Sequence, residues 1–145
     1  MRSILLHFRG VTKGDVNHLL QEICRPTNGP PWVYEVEGEP YLYIDFYTDG
    51  PREFEPEDWA VLVKTLSGQP SISLVVNVSG RHPGDRELME FVSAVLSKVD
   101  GFAQDEYTSH CWTLKEIVSG HQEEGHPFFD YPGWHKQQQK PTELT

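Results

Sequence analysis

The chain has 145 residues and carries 22 acidic against 12 basic side chains, a formal charge of -10, with 37% hydrophobic residues. That is the length of one ordinary domain with enough apolar content for a core. The acidic balance disfavours nucleic acid and anionic membrane as partners, and no apolar run reaches the ~20 residues of a membrane span.

At the N-terminus, Ile4, Leu6 and Phe8 alternate with Leu5, His7 and Arg9, the period of a strand. The apolar run is too short for a secretory signal, and Arg9 interrupts it. Cys24 and Cys111 lie far apart and are read as free thiols. These features point to a cytoplasmic protein.

Val16, Leu19, Leu20 and Ile23 then fall on one helix face, and Thr12 with Asp15 forms a capping box at its start. Pro26 to Pro31 is a loop. Strands are predicted from Trp32 to Glu37 and from Tyr41 to Tyr47, joined by a tight turn at Glu37-Gly38-Glu39-Pro40. A second helix starts near Pro56, with Trp59, Leu62, Val63 and Leu66 as its stripe and Gly68 as its stop. Ser71 to Ser79 alternates most clearly as a strand. A third helix follows from about Asp85 to Val99, then short strands at Phe102–Tyr107 and His110–Trp112. Thr113 and Glu116 cap a short helix that Gly120 ends. Residues 121–134 read as a loop rich in histidine and aromatics.

The expected class is α+β, with a mostly antiparallel sheet. The N-terminal half has the β-α-β-β-α-β order of a ferredoxin-like plan, and α-β-β-α follows. That plan pairs the first strand with the third and puts both early helices on one face. The third helix and the C-terminal end then either extend the sheet or cover its other face. Residues 1–135 form a single domain in this reading, and 136–145 a flexible tail.

Four constellations bear on function. Glu35 to Asp58 holds nine acidic residues against Arg52 alone, a balance of about -8, with aromatics interleaved. A solvated hairpin and an acid-favouring helix N-terminus account for such a segment. A surface that steers in a basic partner is the functional alternative. Its candidate partner-binding residues are Tyr41, Tyr43, Asp45, Tyr47, Asp49, Glu53, Glu55, Glu57 and Asp58.

The second constellation is His7, Tyr43 and Asp45, which share the outer sheet face under this plan. It is weighed as a small-enzyme site against burial beneath the third helix. The third is His110, His121, His126 and His135 with Cys111 nearby. There is no C-x-x-C or H-E-x-x-H spacing, so these are read as solvated loop histidines, and no metal or cofactor is assigned. The fourth is nucleophilic catalysis. No nucleophile elbow or phosphate loop occurs, and His110 and Cys111 point to opposite faces of a strand, so no catalytic residue is assigned.

The segments Gly101–Ile117 and Gly125–Tyr131 resemble the C-terminal part of small single-domain bacterial proteins, some of them similar to immunity proteins of polymorphic toxin systems. The resemblance implies a bacterial cytosolic protein that neutralises a toxin. It carries no catalytic signature. Their aromatics, from Tyr107 to Trp134, would pin the last segment to the sheet, with Asp105 and Glu106 at the rim.

The expected function is therefore a non-enzymatic, acidic immunity-type inhibitor with a basic toxin domain as partner, acting as monomer or homodimer. A small enzyme and a homodimeric adaptor are the alternatives.

Overall fold

A computed structural model describes residues 2–25, 29–48 and 54–139, with side chains through Gln137. In chain order the elements are β1 (Ser3–Phe8), α1 (Lys13–Ile23), β2 (Trp32–Val36), β3 (Glu39–Phe46), α2 (Pro56–Leu66), β4 (Ile72–Val78), α3 (Asp85–Leu96), β5 (Gly101–Gln104), α4 (Leu114–Ser119), β6 (Gln122–Glu123), β7 (His126–Pro127) and α5 (Tyr131–Gln139). The class is α+β. Five strands form an antiparallel sheet in the order β2-β3-β4-β1-β5, and β6 pairs with β7.

Local chemistry sets several boundaries. Thr12 and Asp15 form a reciprocal capping box at α1, and Thr113 and Glu116 do the same at α4. Pro56 opens α2, where its missing N–H costs nothing. Both tight hairpins turn on a Glu-Gly pair, Glu37-Gly38 and Glu124-Gly125. All four residues have positive φ, as type I′ turns require.

The first six elements occur in the expected sequence, but the strands pair differently. β4 lies between β3 and β1 and is antiparallel to both. β1 and β3 therefore run in the same direction, and pairing them would have made a parallel ladder, slightly less stable per residue. The inserted β4 is the most regularly alternating strand. Leu74, Val76 and Val78 are buried on one face, with Ser73, Val75 and Asn77 on the other.

On the first face, Ile4, Leu6 and Phe8 join the Leu74, Val76 and Val78 row in the main core. α1 adds Val16, Leu19 and Leu20, and α3 adds Leu88, Phe91, Val92 and Val95. Trp112, Phe128 and Phe129 complete this core from the C-terminal segment.

The second face is covered by α2, not by the third helix. Leu62 and Leu66 pack with Phe102 and Cys111, and Phe54 and Trp59 flank them. The early helices α1 and α2 are thus on opposite faces. The apolar partner that draws α2 there, Phe102, belongs to β5, outside the six-element plan.

The C-terminal third also differs from expectation. Strand pairing from Gly101 stops at Gln104, and residues 110–112 contribute one bridge, Ala103 to Trp112. The segment read as a loop contains the β6–β7 hairpin and the start of α5. α5 continues through Gln139, and residues 140–145 lie outside the described residues. No helix among the described residues is long and apolar enough to cross a membrane.

Gly101 is the tightest backbone approach between β1 and β5. A Cβ there would collide with the His7 carbonyl oxygen and lie 2.8 Å from Phe8 Cδ1. Gly101→Ala is expected to cost about 1–3 kcal/mol, read as a lower midpoint in urea unfolding. An unchanged midpoint would mean that β5 shifts freely along β1.

Candidate binding cleft

A buried histidine organises the second face. His7 is 0% exposed, in the middle of the β4–β1–β5 ladder opposite Ser73 and Phe102. Its Nε2 lies 2.9 Å from Gln104 Oε1, and its Nδ1 2.8 Å from Ser73 Oγ. The Gln104 amide nitrogen donates to the Ser109 carbonyl at 3.0 Å, which leaves its oxygen to accept. His7 therefore donates from Nε2, and in its neutral form accepts the Ser73 hydroxyl proton at Nδ1. Burial lowers its pKa to about 4, against the Gln104 bond that raises it.

This chain of hydrogen bonds leads into the loop after β5. Asp105 is 8% exposed, so it is buried rather than at the rim. Its Oδ1 accepts from the Tyr107 N–H at 3.1 Å and lies 3.4 Å from the Thr108 nitrogen, a local Asx-type turn. Its Oδ2 accepts the Phe129 N–H at 2.9 Å, fixing the C-terminal segment. Glu106 is exposed and accepts the Ser3 N–H at 2.9 Å.

Between this loop and the N-terminal end of α2 lies a cleft of about 540 Å³. Its carboxylates are Glu55, Asp58, Asp105, Glu106 and Glu124, and among the described residues no Lys, Arg or His lines it. Phe54, Leu5 and Tyr107 supply apolar surface. Tyr107 stacks on Trp134 at 5.8 Å between ring centroids. Its hydroxyl is pushed up to about 12, first by burial and then by the Glu106 and Asp105 charges, a sign of the negative field in the cleft.

The candidate residues from the acidic segment divide among several places. Glu55 and Asp58 line the cleft, and Glu57 is exposed in the first turn of α2. Tyr43 is 36% exposed on β3 opposite Asn77. Asp45 is exposed, and its carboxylate accepts the Phe46 N–H. Tyr41 stacks on His82 at 4.4 Å, away from the cleft. Tyr47 lines a separate pocket with Lys13 and Trp59. Asp49 and Glu53 lie outside the described residues. The cleft's other wall, from Asp105, Glu106 and Glu124, comes from the C-terminal third, which the acidic run does not reach.

His7, Tyr43 and Asp45 do not assemble as a catalytic trio. Asp45 pairs with Val75, which pairs with Leu5, so two strand spacings separate it from β1. His7 is meanwhile closed off beneath Phe54, edge to face at 6.1 Å. Cys24 and Cys111 are both free and buried. Burial pushes the Cys111 thiol up to about 11, so it is held protonated rather than as a nucleophilic thiolate.

The C-terminal histidines are not simply solvated. His126 is 8% exposed and stacks on Trp134 at 3.9 Å. Its two ring nitrogens face Asp130 Oδ2 at 2.9 Å and Gln137 Oε1 at 2.8 Å, and these bonds, Asp130 first, raise its pKa. His110 is half-buried, edge to face on Trp112, with Nε2 3.0 Å from Glu116 Oε1. His121 reaches the carboxylates of both Glu116 and Glu123. His135 is exposed on α5.

The depressed His7 pKa sets a sign for acid stability. The unfolded chain gains this proton near pH 6.5 and the folded chain only near 4. The contribution is complete above 6.5 and is lost as pH falls towards 4, about 3 kcal/mol in all. His7→Gln should flatten the urea midpoint against pH across that window, whereas parallel curves for the two proteins would refute a buried neutral imidazole. No protein-family model, curated protein or solved structure matches this chain.

Proposed function

We propose that this chain is a non-enzymatic binding protein that takes a basic protein partner at the acidic cleft on its second sheet face. The form of this function that fits best is an immunity-type inhibitor, cytoplasmic and directed at a basic toxin domain. The observation that carries the reading is the cleft's charge: five carboxylates, with no cationic side chain among the described residues that line it.

Such an arrangement suits association more than catalysis. Like charges gathered around a concavity focus the field and raise the rate at which an opposite charge arrives. Phe54 and Tyr107 offer contact area that becomes favourable once a partner excludes water. Tyr43 and Asp45, exposed on β3 across the intervening β4, lie on the same sheet face as the cleft. The sheet's central imidazole, His7, is closed off under Phe54 and is not available to the cleft as an acid or base.

The test is capture from the source cytosol on immobilised chain, comparing wild type with the triple reversal Glu55→Lys, Asp58→Lys and Glu106→Lys. All three positions lie on the cleft; Glu106 also accepts the Ser3 N–H, so circular dichroism first verifies that the reversed chain is folded. A basic protein retained by wild type in low salt, released by high salt and lost with the reversal is the expected result. Its association rate should fall on the order of tenfold or more at low ionic strength. Equal retention by both baits would remove the cleft as the binding surface.

A further inference from the structure

Outside the acidic cleft, two imidazoles and two carboxylates converge where α4 meets the β6–β7 hairpin. We propose that His110, Glu116 and His121, with the Glu123 carboxylate beside them, form a binding site for one zinc-like divalent cation.

The donor atoms are already gathered. One ligand atom from each of His110, Glu116 and His121 lies within 4.8 Å of the others. His110 Nε2 is 3.0 Å from one Glu116 oxygen, and His121 Nε2 is 3.5 Å from the other. Ligands about 2.0–2.2 Å from a tetrahedral zinc stand roughly 3.3–3.6 Å from each other. The two spacings, to different Glu116 oxygens, bracket that edge length, so a small turn of the carboxylate lets an ion replace the protons that now bridge it to the imidazoles. Glu123 stands beside the set: one oxygen contacts His121 Nε2, and the other lies 3.7 Å from His110 Nδ1, on the far side of that ring from Nε2.

The surroundings hold these groups in place. Glu116 is fixed by its capping box, its Oε1 accepting the Thr113 N–H at 3.0 Å. The Gly120 cap in the left-handed conformation turns the chain so that His121 folds back beside Glu116. His110 rests edge to face against buried Trp112 at 4.9 Å. On binding, each imidazole coordinates through Nε2 and keeps its proton on Nδ1, and for His110 that N–H faces the Glu123 carboxylate. His110 and Glu123 also line a small open pocket, which gives the ion a path from solvent.

Donor chemistry selects the class of ion. Imidazole nitrogens with carboxylates suit zinc and its first-row neighbours, whereas magnesium and calcium prefer oxygen alone. His126 lies outside this group, its ring nitrogens facing Asp130 and Gln137.

The experiment is a zinc titration of the untagged, chelator-stripped full chain, followed by calorimetry and by the visible absorption of a cobalt-substituted sample. One ion per chain is expected, with the strong visible bands of tetrahedral cobalt and no response to equimolar magnesium. His121→Ala, at an exposed position, and Glu123→Gln should each weaken zinc binding at least about tenfold. His18→Ala, on the exposed face of α1, should leave it unchanged. Circular dichroism verifies that each variant is folded. Absence of saturable one-to-one binding overturns the site, as does equal weakening by His18→Ala and His121→Ala.

Discussion

A single neutral imidazole ties the second face of this sheet together. The Ser73 hydroxyl, the His7 ring, the Gln104 amide and the Ser109 carbonyl form one directional run of hydrogen bonds across β4, β1, β5 and the loop beyond. Each group has a complementary neighbour, so a buried polar residue carries no unmet donor or acceptor along this run. A charged imidazole would donate from both nitrogens. The Ser73 oxygen would then have to accept, and the ion would sit without an opposing charge beneath Phe54. The low pKa of His7 and the placement of the 105–109 loop are therefore two results of the same arrangement. That loop carries one wall of the acidic cleft.

The position of β4 determines what else can share that face. Because β4 separates β3 from β1, rows run from Tyr43 through Asn77 to Ser3, and from Asp45 through Val75 and Leu5 to Gln104. A single helix, α2, covers the β5 end of these rows through Leu62 and Leu66. Its N-terminal turn, with Glu55, Glu57 and Asp58, stands beside the uncovered part. Acids are favoured there by the helix dipole, so helix stability and cleft charge draw on the same residues. The opposite face has two helices and a continuous core, whereas the second is only partly covered and holds the acidic cleft.

Local rules in the sequence carried much of this architecture. Thr12 with Asp15 and Thr113 with Glu116 announced their helices because a capping box is a contact within four residues. Ser71 to Ser79 announced a strand because its alternation is strict. What was not legible depended on contacts across the chain. Phe102, 40 residues from Leu62, decides which face α2 covers. Asp105 reads as a surface acid until the Phe129 N–H, 24 residues on, is seen to occupy it. The acidic run from Glu35 to Asp58 disclosed Glu55 and Asp58 but not Glu106 or Glu124, since charge counting follows the chain and a cleft does not. One signal was present and unread. Glu124-Gly125 repeats the dipeptide of Glu37-Gly38, and both make tight hairpins with positive φ.

That second hairpin joins the two sites. Glu123 and Glu124 are adjacent, yet Glu123 faces His110 and His121 while Glu124 lines the acidic cleft. The left-handed backbone at Glu124, with φ of 54°, redirects the chain between them. The hairpin has only two residues in each strand and one two-residue turn, so it holds little geometry of its own. Its position is set from outside, by the His110–Glu116–His121 cluster on one side and by His126 against Trp134 and Asp130 on the other. A cation held by His110, Glu116 and His121, beside Glu123, would tighten the first of these anchors and fix where the Glu124 carboxylate stands. It would also neutralise charge near the cleft without occupying it. The two effects oppose each other for a basic partner: a better-ordered Glu124 favours docking, and a positive charge nearby weakens long-range attraction. Salt screens only the second, because the Debye length is about 8 Å at physiological ionic strength, so ordering of the hairpin is the effect that persists there.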